Sequence, residues 1–264
     1  MESLSFKHAP IRVGSDLNNL SFLVATNGNC STTNTLTEVK GIGYYNSYRF
    51  QSPNGYITNS VSFQYLIQNS DPIRSILELH KSGQFENAVP YYVDIGGLTF
   101  RECYLESFSL SINPSTVASA QVNFISYSPA SGQFGKYQLP ANTNIDADFL
   151  HGTETNVSIG ESSEYFGLNY NLKLQHQPIN TIGSSYPKTI KFHGAVEELE
   201  LTENLYKRIL YTGDTKSITI NSSAICCPDI DYSISINDAQ SISASASTQN
   251  NGVVTTLRKF TKYY

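Results

Sequence analysis

The chain has no tryptophan, a single methionine and only 15% charged residues. Without tryptophan, the largest aromatic platform for stacking on sugar rings is missing. Basic residues never cluster into a run of five or more, so sequence-specific binding of nucleic acid through phosphate contacts is unsupported, although a mildly acidic protein could still surround nucleic acid without sticking to it. No apolar stretch approaches the ~20 residues that a membrane helix needs. The opening residues, MESLSFKHAPIRVGSD, lack the charged start, apolar centre and cleavage site of a secretory leader. The expectation is a soluble protein made in a cytosol. Its four cysteines (Cys30, Cys103, Cys226 and Cys227) are then reduced thiols. Cys226 and Cys227 are adjacent and no CxxC spacing exists, which argues against a zinc site.

Signatures of chemistry are equally sparse. The five histidines (His8, His80, His151, His176, His193) are widely spaced. His151 and Glu154 stand three apart in HGTE, but without a second histidine they read as a solvated loop. His80 falls near the end of an expected helix, where a cation suits the helix dipole. Gly96-Gly97 is followed by neither GxxxxGK nor GxGxxG and reads as a turn. Glu198 and Glu200 share one face of an expected strand, and a wet sheet face accounts for them better than an acid/base pair. No serine sits in GxSxG. Catalytic, metal-binding and cofactor-binding residues are therefore expected to be none, and the chain is not expected to be an enzyme.

What the chain does have is 18 tyrosines and 13 phenylalanines among abundant serine, threonine and asparagine, with a net charge of −5. That balance suits strands and polar turns. At roughly 100–200 residues per domain, 264 residues allow one large or two small domains.

An internal repeat favours two. Residues 100–113, FRECYLESFSLSIN, align without a gap beneath residues 224–237, AICCPDIDYSISIN, at an offset of 237 − 113 = 124. Cys103 falls on Cys227 and Phe108 on Tyr232. Each copy continues into a further alternating stretch: Ala120, Val122 and Phe124 in the first, Ile242, Ala244 and Ala246 in the second. Upstream, residues 61–67 and 196–201 alternate as strands, and each runs towards a helical pattern. In the first, Asp71 caps, Pro72 opens, Ile73, Ile76 and Leu77 form the stripe and Gly83 stops it. In the second, Thr202 caps, Leu205, Tyr206, Ile209 and Leu210 form the stripe and Gly213 stops it. Short strands near 91–95 and 217–220 follow. The expected class is mainly β, with two tandem small sandwich or barrel domains that each carry one flanking helix.

The first domain is expected over residues 1–136 and the second over 137–264. A Pro- and Gly-bearing linker spans about 128–152. Residues 26–56 are long, polar and rich in tyrosine, and read as a functional loop. Its aromatics, Tyr44, Tyr45, Tyr48 and Phe50, suit an interface.

The strand–helix–strand–strand–strand order, together with CYLESFSLSINPSTVASAQVNF, resembles the major tail tube proteins of long-tailed bacteriophages, in a duplicated form. The resemblance covers both halves without a diagnostic motif. It implies a virion structural protein, assembled in the host cytoplasm, whose rings stack into a hollow tail tube. The rings would be trimeric (pseudo-hexameric) or hexameric. DNA would pass through the lumen without sequence-specific binding, and tape-measure, sheath and baseplate proteins would be neighbours. No membrane is involved. Residues 26–56 would be a stacking arm, with Tyr44, Tyr45, Tyr48 and Phe50 as inter-ring contacts. Glu102, Glu106, Asp229 and Asp231 could line the channel or be solvated outer residues. The alternative reading is a baseplate or receptor-binding β-sandwich that binds carbohydrate.

Overall fold

Period-two alternation governs this chain, because successive side chains on a strand point to opposite faces of the sheet. The computed structural model describes residues 10–34, 36–40, 49–53, 57–69, 71–81, 88–135, 149–158, 165–182, 184, 186–204, 215–222, 233–248 and 254–264. The first strands are β1 (Ile11–Asp16), β2 (Asn19–Leu23), β3 (Ala25–Thr33), β4 (Leu36–Lys40) and β5 (Arg49–Pro53). β6 (Thr58–Leu66) leads into helix α1 (Pro72–Lys81), followed by β7 (Tyr91–Ile95), β8 (Leu98–Ile112), β9 (Ser119–Ser126) and the short β10 (Ser131–Gly132). A 3₁₀ turn at Gly152–Glu154 precedes β11 (Thr155–Ser158), β12 (Tyr165–Ile179), β13 (Thr189–Asn204), β14 (Thr215–Ser222), β15 (Ser233–Thr248) and β16 (Val254–Tyr263). The chain is mainly β, and one α-helix lies among the described residues.

Fourteen strands form one sheet in the order β11-β14-β15-β16-β13-β12-β8-β7-β1-β2, with β9, β6 and β3 branching from the other edge of β8. β10 pairs with β8, and β4 and β5 form a separate hairpin. On β6, Asn59, Val61, Phe63 and Tyr65 are buried while Ser60 and Gln64 are exposed. The same alternation buries Phe108, Leu110 and Ile112 on β8, Ala120, Val122 and Phe124 on β9, and Leu168, Tyr170 and Leu172 on β12. Helix α1 adds Ile73, Ile76 and Leu77 to this dry side. It starts as its sequence dictates: the Asp71 carboxylate accepts from the Ile73 amide at 2.9 Å, and Pro72 takes the first position, where no amide is needed. One cluster of buried apolar side chains runs through both halves of the chain, from Ile11 to Phe260.

The pairing order β1-β7-β8-β9-β6-β3 recurs as β11-β14-β15-β16-β13-β12. Detail recurs as well. Leu105, Phe124, Val61 and Cys30 pair in succession across β8, β9, β6 and β3. Ser241, Phe260, Leu199 and Tyr170 do so across β15, β16, β13 and β12. Glu102 on β8 and Asp238 on β15 both take a positive φ, 50° and 57°. Each lies at an irregularity in the pairing with β7 or β14. The offset on these long strands is 238 − 102 = 136, not the 124 read from the sequence. It is 218 − 93 = 125 on β7 and β14, because Val93 pairs with Phe100 while Ile218 pairs with Ile236. The difference lies between the strands: β7 and β8 join through the two-residue turn Gly96-Gly97, whereas ten residues, 223–232, separate β14 from β15.

Three expectations need correcting. The described part of residues 26–56 is strand rather than loop: residues 25–33 are strand β3, and β4 pairs with β5. The polar run ATNGNCSTT concealed a strand, because an edge strand needs few apolar side chains. Thr202 does not cap a helix; it lies within β13, which continues to Asn204, and the rest of the expected second helix falls outside the described residues. Ile242, Ala244 and Ala246 do not form a separate strand but continue β15, since Asn237-Asp238 makes a bulge rather than a chain reversal.

Candidate functional site

The most developed contact between the two halves is a strand junction. Residues 168–173 of β12 lie antiparallel to residues 107–112 of β8, from Leu168 opposite Ile112 to Lys173 opposite Ser107. β9 occupies the other edge of the same residues of β8. On the dry side, Leu168, Tyr170 and Leu172 are buried with Phe108, Leu110 and Ile112. Phe108 and Tyr170 meet with ring centroids 6.0 Å apart and planes tilted by 59°. Six large side chains, each contributing about 1.5–3 kcal/mol when buried, fix this junction.

Tyr170 is anchored beneath it. Its hydroxyl donates to Glu197 Oε1 at 2.5 Å, and the Tyr264 hydroxyl donates to Glu197 Oε2 at 2.5 Å. Glu197 is wholly buried, and these two donors supply what water would otherwise give its carboxylate. The Tyr264 phenol is pushed up, first by burial and then by its bond to Glu197. Gly194 admits the chain end: its φ is 140°, and a Cβ there would lie 2.6 Å from the Tyr264 carbonyl oxygen. The matching position on β6 is Asn59, also buried, which accepts from Thr32 Oγ1 at 2.7 Å and donates to the Ser128 carbonyl at 2.7 Å.

The opposite face of the sheet is wet. It carries Ser107, Ser109 and Ser111 on β8, Gln121 and Asn123 on β9, and Asn169, Asn171 and Lys173 on β12. Glu198 and Glu200 share this face, as their spacing predicts, and each meets a lysine. Lys173 Nζ stands 3.0 Å from Glu198, and Lys259 bonds Glu200. The Lys259 ammonium is pushed up by that bond. Glu106 accepts from Asn123 at 2.8 Å, and burial raises its carboxyl above the ordinary range.

Two strand edges lack a counterpart to this junction among the described residues. β3 pairs only with β6, so its outer edge is open. Its side chains from Thr26 to Thr33 are exposed, apart from the half-buried Cys30. β15 pairs with β14 as far as Gln240; beyond it, only β16 lies alongside residues 243–248. Sequence reasoning anticipated free edges in general but did not find these two. The Ser/Ala alternation SASAS, without one large apolar residue, was the available signal on β15.

Tyr44, Tyr45 and Tyr48 lie outside the described residues. Phe50 lies on β5 with its backbone opposite Val39, and its side chain is outside the described set. Asp229, Asp231, Cys226 and Cys227 are also outside it. Cys103 is buried, which pushes its thiol up to about 12. Glu102 is exposed and bonds Ser128. His151 Nδ1 accepts from the Thr153 amide at 3.3 Å and caps the 3₁₀ turn. Among the described residues, no three His, Cys, Asp or Glu side chains gather as a metal site would require.

No protein-family model matches the chain, and no curated protein matches it. Among solved structures, the chain has a distant neighbour in the tail of an empty gene transfer agent (GTA) particle, computed with helical refinement and C6 symmetry. Identity is 13% and the TM-score 0.38, with 50% of this chain and 99% of that chain covered. A likeness this loose fixes no function.

Proposed function

We propose that the chain is a structural subunit of a phage-type tail tube, made of two fused copies of one module and without enzymatic activity. One observation carries this reading. Within a single chain, the last strand of one pairing series, β12, lies along the long strand of the other, β8. A junction between two like modules, related head to tail, is the repeating element of a ring. The chain thus contains one such junction and, among the described residues, presents an unpaired edge of both kinds for the next. Exposed edges are a hazard in a protein meant to stay monomeric and an asset in one meant to polymerise.

Three such chains would close a pseudo-hexameric ring, and the wet face is the natural channel lining. Its serines, asparagines and glutamines, with carboxylates offset by lysines, offer passing DNA neither a strong attraction nor a strong barrier. The β4–β5 hairpin, standing apart from the main sheet, is the arm for contact between rings. The test is negative-stain electron microscopy with mass photometry on the purified chain. Rings, or tubes of constant width at high concentration, are expected. A strictly monomeric protein that binds a glycan array would replace this reading with the carbohydrate-binding one.

A further inference from the structure

Resting on the tube reading, we infer which residues join one chain to the next and in what register. Residues 28–33 of β3 pair antiparallel with residues 243–248 of β15 in a second copy of this chain, Gly28 opposite Thr248 and Thr33 opposite Ser243. The register is transferred from the junction inside the chain. Positions on β8 map to β15 by 243 − 107 = 136, since Ser107 and Ser243 pair with Asn123 and Lys259 at matching bulges. Positions on β12 map to β3 by 170 − 30 = 140, since Tyr170 and Cys30 pair with Leu199 and Val61. The internal pairs Leu168–Ile112, Tyr170–Leu110 and Lys173–Ser107 then become Gly28–Thr248, Cys30–Ala246 and Thr33–Ser243.

Both edges fit this occupant. On β3 residues 28–33 are exposed apart from the half-buried Cys30, and on β15 Ser243, Ser245 and Ala246 are exposed; neither segment carries an ionisable group other than the Cys30 thiol, so no buried charge opposes their union. Ile242, an apolar side chain 51% exposed, stands at the β15 bulge where Glu106 stands on β8. A Cβ on Gly28 would come within 3.0 Å of Ile11 Cδ1, so Gly28 lies on the dry side of the sheet, as Leu168 does on β12.

The two junctions differ in strength. Inside the chain the dry side is Leu168, Tyr170 and Leu172 on Ile112, Leu110 and Phe108; between chains it is Cys30 and Thr32 on Ala246 and Ala244, with Gly28 adding no side chain. The second buries far less apolar area and relies on backbone hydrogen bonds. Chains therefore part at β3/β15 while the internal junction holds.

Cross-linking tests the register. The Ala246→Cys variant of the full chain, mildly oxidised after ring formation, is expected to give chain-to-chain disulfides with Cys30. The yield should be at least ten-fold above that of Ala244→Cys, and Cys30→Ser in the Ala246→Cys background should abolish it. Rings or tubes that form normally without this cross-link, or with Ala244→Cys favoured, would overturn the pairing and leave the tube reading standing. A chain that stays monomeric by mass photometry at every concentration overturns both.

Discussion

Asp71 shows how a single capping group can make the fold sensitive to pH. Its carboxyl is 7% exposed and is pushed up to about 6 by burial, against the lowering effect of its bonds to the Ile73 amide and Tyr65 hydroxyl and of Arg74 nearby. A carboxyl raised in the folded state is preferentially protonated there. Its contribution is most favourable below the unfolded value near 4 and is lost as pH rises towards 6. A shift of this size corresponds to about 3 kcal/mol. Asp71→Asn keeps an acceptor for the Ile73 amide and removes the titration. Urea melts should show wild type losing stability relative to this variant between pH 4 and 7; parallel curves would contradict the assignment. At the chain end, Tyr264→Phe removes one donor from the buried Glu197 while leaving the backbone bond from the Tyr264 amide to Ala195 in place. A loss of about 1–2 kcal/mol in denaturant melts is expected.

Among the elements, the β12·β8 junction and the β4–β5 hairpin should respond differently to mutation. Leu110→Ala empties the centre of the junction, where Leu110 is fully buried opposite Tyr170, and should cost about 2–5 kcal/mol of folding stability. Replacing residues 36–53 with a short turn removes β4 and β5, which pair with each other outside the main sheet. The thermal midpoint should move by a few degrees at most, while rings no longer stack into tubes in micrographs. Unfolding of the truncated chain would show that the hairpin is part of the core instead. The same contrast marks what the sequence made legible. β6, β8 and β9 alternate large apolar residues with serine or glutamine, and helix α1 carries cap, proline and stripe, so each is legible in the sequence. β3 and the later half of β15, edges among the described residues, lack large apolar residues, so the sequence pattern reads as a loop in one and a separate strand in the other. The 124 offset read from the Ser-Ile stretches differs from the 136 that relates β8 to β15, since matching Ser-Ile alternations slide past one another at little cost to the alignment.

For the whole molecule, the balance of charge decides how the proposed assembly should respond to salt. Each chain carries a net charge of −5, so chains brought together repel weakly. The two edges inferred to join contribute no ion pair, because residues 28–33 and 243–248 contain no acidic or basic side chain. The lysine–glutamate contacts on the wet face, Lys173–Glu198 and Lys259–Glu200, lie within one chain and are made whether or not a neighbour is present. Raising sodium chloride from about 50 to 500 mM shortens the screening length from roughly 14 to 4 Å. It should therefore leave the ring fraction seen by mass photometry unchanged or raise it modestly. An assembly held by surface ion pairs would dissociate over the same range. A steep fall in ring fraction with salt would thus move the contact away from these backbone edges and onto charged surfaces elsewhere on the chain.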